Sequence, residues 1–164
     1  MELLIPGLLL VAFMVWASTR IKKNAAAAFD AETIETDEFS IQKPEGFLHN
    51  LNGDPKYIFE AYSKELSKVD DKFRIGTATI TRIENTTLDA VVNELSQTDG
   101  LTDKGTGMLD ETAYRMLTSR GDETEISYKL AEKNGSVYKL EITAMEESKN
   151  EPWVETFFDS FRVK

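Results

Sequence analysis

The sequence predicts an α+β protein: one N-terminal transmembrane helix, then a mainly antiparallel β-sheet packed by two helices. Three observations carry this reading. Leu3–Thr19 is an unbroken apolar run closed by Arg20, Lys22 and Lys23. Between Phe39 and Ile142, several short stretches alternate apolar and polar residues, the period of a half-buried strand. Two others, from Leu88 and from Trp153, repeat apolar residues at helical spacing instead.

The apolar run lies at the short end of what spans a bilayer, since its 17 residues as a helix cover roughly 25 Å. Trp16 sits near the basic end, where an indole favours the headgroup level, and Arg20, Lys22 and Lys23 extend their charges to the interface. Pro6 falls in the first turns, where a missing N–H does little damage. A cleaved signal peptide would place positive charge ahead of the apolar region, and only Met1 and Glu2 precede it. A buried core helix would show a polar stripe, and none occurs before Ser18. Residues 1–23 therefore read as a transmembrane anchor with a basic flank, and the bilayer as the first partner. Because the basic residues follow the span, the charge rule puts the remaining domain in the cytoplasm, with a periplasmic or extracytoplasmic location as the alternative.

Residues 24–37, NAAAAFDAETIETD, read as an Ala-rich, then acidic, stalk in which the helix continues and frays near Thr33–Asp37. The folded domain is expected over 38–164. Phe39 and Ile41 alternate in a strand that stops at Pro44 and Gly46, and HNLNGDP reads as a polar loop. Tyr57–Leu66 reads as a strand or a short helix, and Phe73–Ile83, rich in Thr and Ile, as a clear strand. Thr86 or Thr87 caps a helix whose Leu88, Val91, Val92 and Leu95 share one face, with Gly100 ending it.

Thr98–Gly107 reads as loop, and Ala113–Ser119 as a strand with Tyr114 and Met116 on one side. Ile126, Tyr128 and Leu130 alternate, as do Tyr138, Leu140 and Ile142, around Asn134-Gly135. Asn-Gly favours the left-handed turns that match strand twist, so this is a hairpin. Pro152 opens a last helix whose Trp153, Val154, Phe157, Phe158 and Phe161 form a broad apolar face for burial against the sheet.

Composition narrows the function. A formal charge of −10, with its basic cluster at the membrane edge, leaves nucleic acid without a binding face. The absence of cysteine excludes disulfides, thiol catalysis, zinc–thiolate sites and a lipid-bearing cysteine.

Chemistry-bearing patterns are weak. His49, the one histidine, lies in the polar loop and reads as solvated, with no nucleophile elbow and no HExxH motif nearby. The carboxylate groups Asp70-Asp71, Asp122-Glu123-Glu125 and Glu146-Glu147 fall at turns and strand ends, where charge is ordinarily surface. Asp99 and Asp103 lack calcium-loop spacing, and Gly105-Thr106-Gly107 lacks the rest of a phosphate cradle. The sequons at Asn85 and Asn134 have meaning only in a secretory context. No catalytic, cofactor-binding or metal-ligating residue is assigned, and no cofactor is expected.

FSIQKPEGF, the capped helix TTLDAVVNEL, the hairpin ISYKLAEKNGSVYKLEI and the ending FFDSFRV together resemble the PsbP-like (Mog/PsbP/DcrB-type) α-β-α sandwich superfamily, over Glu38 to Lys164. The resemblance implies a binding or assembly module without a catalytic motif. The expected function is that of a non-enzymatic, single-pass accessory or assembly subunit that docks on another membrane protein or complex. The alternative is a membrane-anchored module for a small ligand or lipid, held in a cavity between helix and sheet. The partner-binding residues stay unassigned, as does self-association, and Trp153, Tyr138 and Phe47 are open candidates for exposed contacts.

Overall fold

The structure is a computed structural model that describes residues 4–68, 71–97, 100–109 and 111–164, the side chains of 4–8, 66–68, 71–73 and 109 excepted. The first helix, α1, is Leu4–Ala27. Twelve strands follow among the described residues: β1 (Glu32–Glu35), β2 (Phe39–Lys43), β3 (Phe47–His49), β4 (Phe59–Ser63), β5 (Glu65–Lys68), β6 (Asp71–Arg74), β7 (Gly76–Glu84), β8 (Leu101–Leu109), β9 (Thr112–Arg120), β10 (Thr124–Lys133), β11 (Ser136–Met145) and β12 (Arg162–Val163). Helix α2 (Leu88–Leu95) lies between β7 and β8, and α3 (Pro152–Ser160) between β11 and β12.

Seven strands form one antiparallel sheet in the order β3-β4-β7-β11-β10-β9-β8. A second sheet joins β1, β2 and β12, and β5 pairs with β6 alone. The main sheet is sandwiched. On one face Ile80, Leu140 and Ile142 meet Phe157 and Phe158 of α3 and Phe39 and Ile41 of β2. On the other, Leu117, Tyr128, Leu130 and Val137 meet Val91 and Val92 of α2. The expected α+β class, with a mainly antiparallel sheet and helices packed on it, is therefore observed.

The hairpin forms as its alternation dictates, with Leu130 opposite Lys139 and Ala131 opposite Tyr138. At the turn Asn134 has φ 55° and Gly135 has φ 72°, the left-handed values that a two-residue hairpin needs. Helix α2 starts where its cap was expected: the Thr87 hydroxyl accepts from Ala90 N at 3.4 Å. Glu132 adds a second acceptor, taking the Leu88 N–H at 2.7 Å. Two orphan amides of the first turn are thus satisfied, one by a carboxylate that also favours the positive end of the helix dipole. Thr87→Ala is expected to cost about 1 kcal/mol, read from urea midpoints at unchanged m-value.

Four expectations are corrected. The stalk is helical only to Ala27. Glu32–Glu35 is a strand that pairs with β2, Ile34 opposite Ile41, so ladder bonds override helix propensity there. The loop assigned to Thr98–Gly107 is, from Leu101 on, part of β8, an edge strand, and its first two residues lie outside the described set. Its glycines are accommodated by a register shift between Asp103 and Gly105, the latter at φ 109°. Phe47–His49, which includes the start of the supposed polar loop, is a strand against β4. Finally, the strands assigned to Tyr57–Leu66 and Phe73–Ile83 each divide, at Lys64 and Ile75, because the chain leaves the main sheet there to make the β5–β6 hairpin.

Among the described residues no helix is long and apolar enough to cross a membrane. Helix α1 nonetheless exposes its apolar side chains, from Leu9 (66%) through Phe13 (64%) to Trp16 (55%).

Candidate functional site

Strand β10 has both faces buried, which sets up an unusual position. Ile126, Tyr128 and Leu130 turn toward α2, so Lys129 between them turns toward α3. Its side chain is 2% exposed. The ammonium donates to the Phe158 carbonyl at 3.0 Å and to Asp159 Oδ1 at 3.3 Å, and it lies 4.3 Å from the centre of the Tyr114 ring.

Phe158 is in the last turn of α3, where carbonyls have no partner within the helix and the dipole is negative. Lys129 therefore closes the helix end against the sheet. Burial pushes its pKa below the lysine range, and the hydrogen bond it donates to Asp159 opposes that push. Nearby, Lys133 Nζ donates to the Val163 carbonyl at 2.9 Å, and Arg162 Nη1 to the Phe161 carbonyl at 2.8 Å.

Two grooves open on either side of Lys129. The larger, about 600 Å³, runs between α3 and strands β8 to β10. Tyr114, Met116, Val154 and Phe158 give it apolar walls, with Lys104, Lys149, Glu151, Glu155 and Asp159 as its charged groups. The smaller, about 280 Å³, is lined by Glu111, Lys133, Phe161 and Arg162 among others. The larger groove falls within the volume range of small-molecule sites.

Lys43 is the second buried ammonium, 1% exposed on β2. It donates to the carbonyls of Ala28 at 3.0 Å, Asp30 at 2.5 Å and Phe47 at 2.8 Å. Sequence reasoning overlooked both lysines, because a lysine in a strand is ordinarily solvated. The available signal was position: Lys129 interrupts a stretch, ISYKLA, whose other residues suit burial on both faces, and Lys43 continues the inward series Phe39, Ile41.

The expected candidates fall as follows. Trp16, Arg20, Lys22 and Lys23 all lie on α1, with the Arg20 guanidinium 5.3 Å from the Trp16 ring centre. His49 corrects the solvated-loop reading: it ends β3 and stacks on Phe59 with centroids 5.0 Å apart, and burial lowers its pKa. Asp70 and Asp99 lie outside the described residues, as does the side chain of Asp71.

The other two carboxylate groups come together, since Glu146 N donates to the Glu123 carbonyl at 3.0 Å. Arg120 lies 3.5 Å from Glu125, and Lys149 bridges Glu125 at 3.6 Å and Glu146. The Lys149 hydrogen bond holds the Glu146 carboxyl below the usual range. That is an ion-pair network at the end of the sheet. Asp103 is likewise engaged, taking Arg115 Nη2 at 2.5 Å and the Gly105 N–H at 2.8 Å. Gly105-Thr106-Gly107 lies within β8, where a Cβ on Gly107 would clash with the Tyr114 hydroxyl. The sequon residues Asn85 and Asn134 both have positive φ, which marks them as turn positions.

Of the three open contact candidates, Phe47 (0% exposed) and Tyr138 (5%) are core, and Trp153 packs on Phe47 with ring centres 4.6 Å apart.

No family model and no curated protein matches the chain. Solved structures do. The solution structure of cyanobacterial PsbP (CyanoP) from Synechocystis sp. PCC 6803 is similar at a TM-score of 0.56 and 14% identity, over 83% of this chain and 94% of that one. LpqN of Mycobacterium tuberculosis, described as involved in cell envelope biogenesis, is similar at a TM-score of 0.53 and 10% identity, over 82% and 91%. At such identities the likeness is one of architecture: the chain carries a PsbP-like fold.

Proposed function

We propose that this chain is a single-pass membrane protein whose PsbP-like domain, without catalysis of its own, docks on a membrane protein complex as an accessory or assembly subunit. The observation that carries the reading is the exposure of α1. Leu9, Leu10, Val11, Phe13, Met14, Val15 and Trp16 are each more than half exposed, and at 100° per residue they surround the helix. Burying such side chains is worth about 1.5–3 kcal/mol apiece, so the set favours a nonaqueous surrounding by an amount on the order of 10 kcal/mol. The apolar run extends back to Leu3, through residues 3–8 whose side chains lie outside the described set, and that extension supplies the length a span needs. The basic flank then meets the headgroups.

The PsbP-like fold supports an accessory role. LpqN, with the same architecture, is involved in cell envelope biogenesis, which favours the extracytoplasmic alternative, whereas the charge rule favours the cytoplasm. The larger groove beside Lys129 favours a second reading, a module that holds a small ligand between helix and sheet.

One preparation tests these readings. The full chain is expected to stay with membranes through an alkaline carbonate wash, and a chain lacking residues 1–23 to be released. Release of the full chain would overturn the anchor. After cross-linking and mild detergent extraction, one stoichiometric membrane partner supports docking. A lone protein that retains a small molecule supports the second reading instead. Protease protection in sealed vesicles reads the side of the membrane.

A further inference from the structure

We infer that Lys43 is a clasp that joins α1 and the β-sheet into one rigid unit, so that a tilt or rotation of the helix is passed to the whole domain. An ammonium has three protons and no acceptor, and each proton here meets a different carbonyl. Two of those, Ala28 and Asp30, belong to the turn directly after α1, and the third, Phe47, opens β3.

The turn is itself continuous with the helix. Ala28 N donates to the Asn24 carbonyl at 3.1 Å, Phe29 N to Ala26 at 3.0 Å and Asp30 N to Ala27 at 3.1 Å. A second tie runs the other way, from Gly46 N to the Phe29 carbonyl at 2.7 Å, with Gly46 at φ 81°. Beyond Asp30 only Ala31 precedes β1.

The residue type argues the role. The inward positions of β2 are otherwise Phe39 and Ile41, and an apolar residue at Lys43 would avoid the cost of burying a charge. Gathering three carbonyls from two segments is what an ammonium does there and a hydrocarbon cannot. Glu32 and Asp30 lie close enough to favour the charged form against burial.

The absence of cysteine makes the test direct. Spin labels at Asn24→Cys on α1 and Glu94→Cys on α2, in the full chain in lipid nanodiscs, report the helix-to-domain distance by pulsed EPR. Both residues are exposed. A narrow distribution, within a few Å, is expected. Lys43→Met should broaden it by several Å, because the turn is then left on the Gly46–Phe29 bond, while circular dichroism still shows a folded domain. Should Lys43→Met fail to fold, a Gly-Gly insertion between Ala27 and Ala28 leaves the Lys43 bonds in place and separates the helix from them; it too should broaden the distribution. A broad distribution in the unaltered chain overturns the clasp. So does an unchanged width in a folded Lys43→Met chain, or in the insertion chain where Lys43→Met does not fold. Release of the full chain from membranes would instead overturn the anchor and leave the clasp standing.

Discussion

Phe157→Ala is expected to lower the unfolding free energy by about 3–5 kcal/mol, the range for truncating a fully buried aromatic. Phe157 is 0% exposed. Its ring lies 5.8 Å from that of Phe59 on the main sheet and 5.8 Å from that of Phe158 beside it on α3. Phe39 and Ile41 of the second sheet complete the same cluster. The ring therefore sits between the helix and the main sheet within one cluster, and its loss leaves a cavity there. A domain of this size has about 5–15 kcal/mol in total, so the change removes a large fraction of it. Urea unfolding measures the effect. A loss under 1 kcal/mol would show that α3 is not held on the sheet as described.

Lys129→Met is the second large effect, expected at about 1–3 kcal/mol. Methionine keeps an unbranched stem of similar reach, so packing on Tyr114 and Met116 is preserved and the loss isolates the ammonium. What remains is the Phe158 carbonyl, buried at a helix end without its donor.

Alkaline pH gives an independent check. Burial holds the folded pKa of Lys129 below its ordinary 10.5. Between those two values the unfolded chain binds more protons than the folded one, so stability gains with rising pH across that window. The contribution is fully present above 10.5 and lost as pH falls through the folded value. Removing the amine should flatten the slope there, seen as a difference between the unaltered chain and Lys129→Met in melting temperature against pH. Parallel curves would mean that the lysine is hydrated in the folded state.

Much of the architecture was legible in the residues, and the reasons differ by element. The β10–β11 hairpin and the two packed helices were plain because ten-residue alternation, Asn-Gly at the turn, Thr87 at the cap and Pro152 at the first helical position each specify the same local structure. Strand β1 was not, because an edge strand in a small sheet has only Ile34 to bury, and ETIE carries no alternation to detect. Strand β8 was hidden by its glycines, which signal a loop until the Asp103–Arg115 pair and the Tyr114 ring packed over Gly107 supply tertiary reasons for extended backbone. Neither the three-residue β3 nor the division at Lys64 and Ile75 has a local cause; both follow from how the chain leaves the main sheet. The two buried lysines were invisible for another reason. Their acceptors are backbone carbonyls, which every residue has and no sequence pattern displays.

Strand β8 has a consequence for crowding. It is the free edge of the seven-stranded sheet, and an open edge of that length is a template for pairing between chains. The register shift between Asp103 and Gly105 bends the ladder midway, and exposed Lys104 sits at the break, so two such edges meet with neither matching register nor neutral charge. The irregularity that disguised this strand in the sequence is also what keeps the sheets of two copies from joining edge to edge.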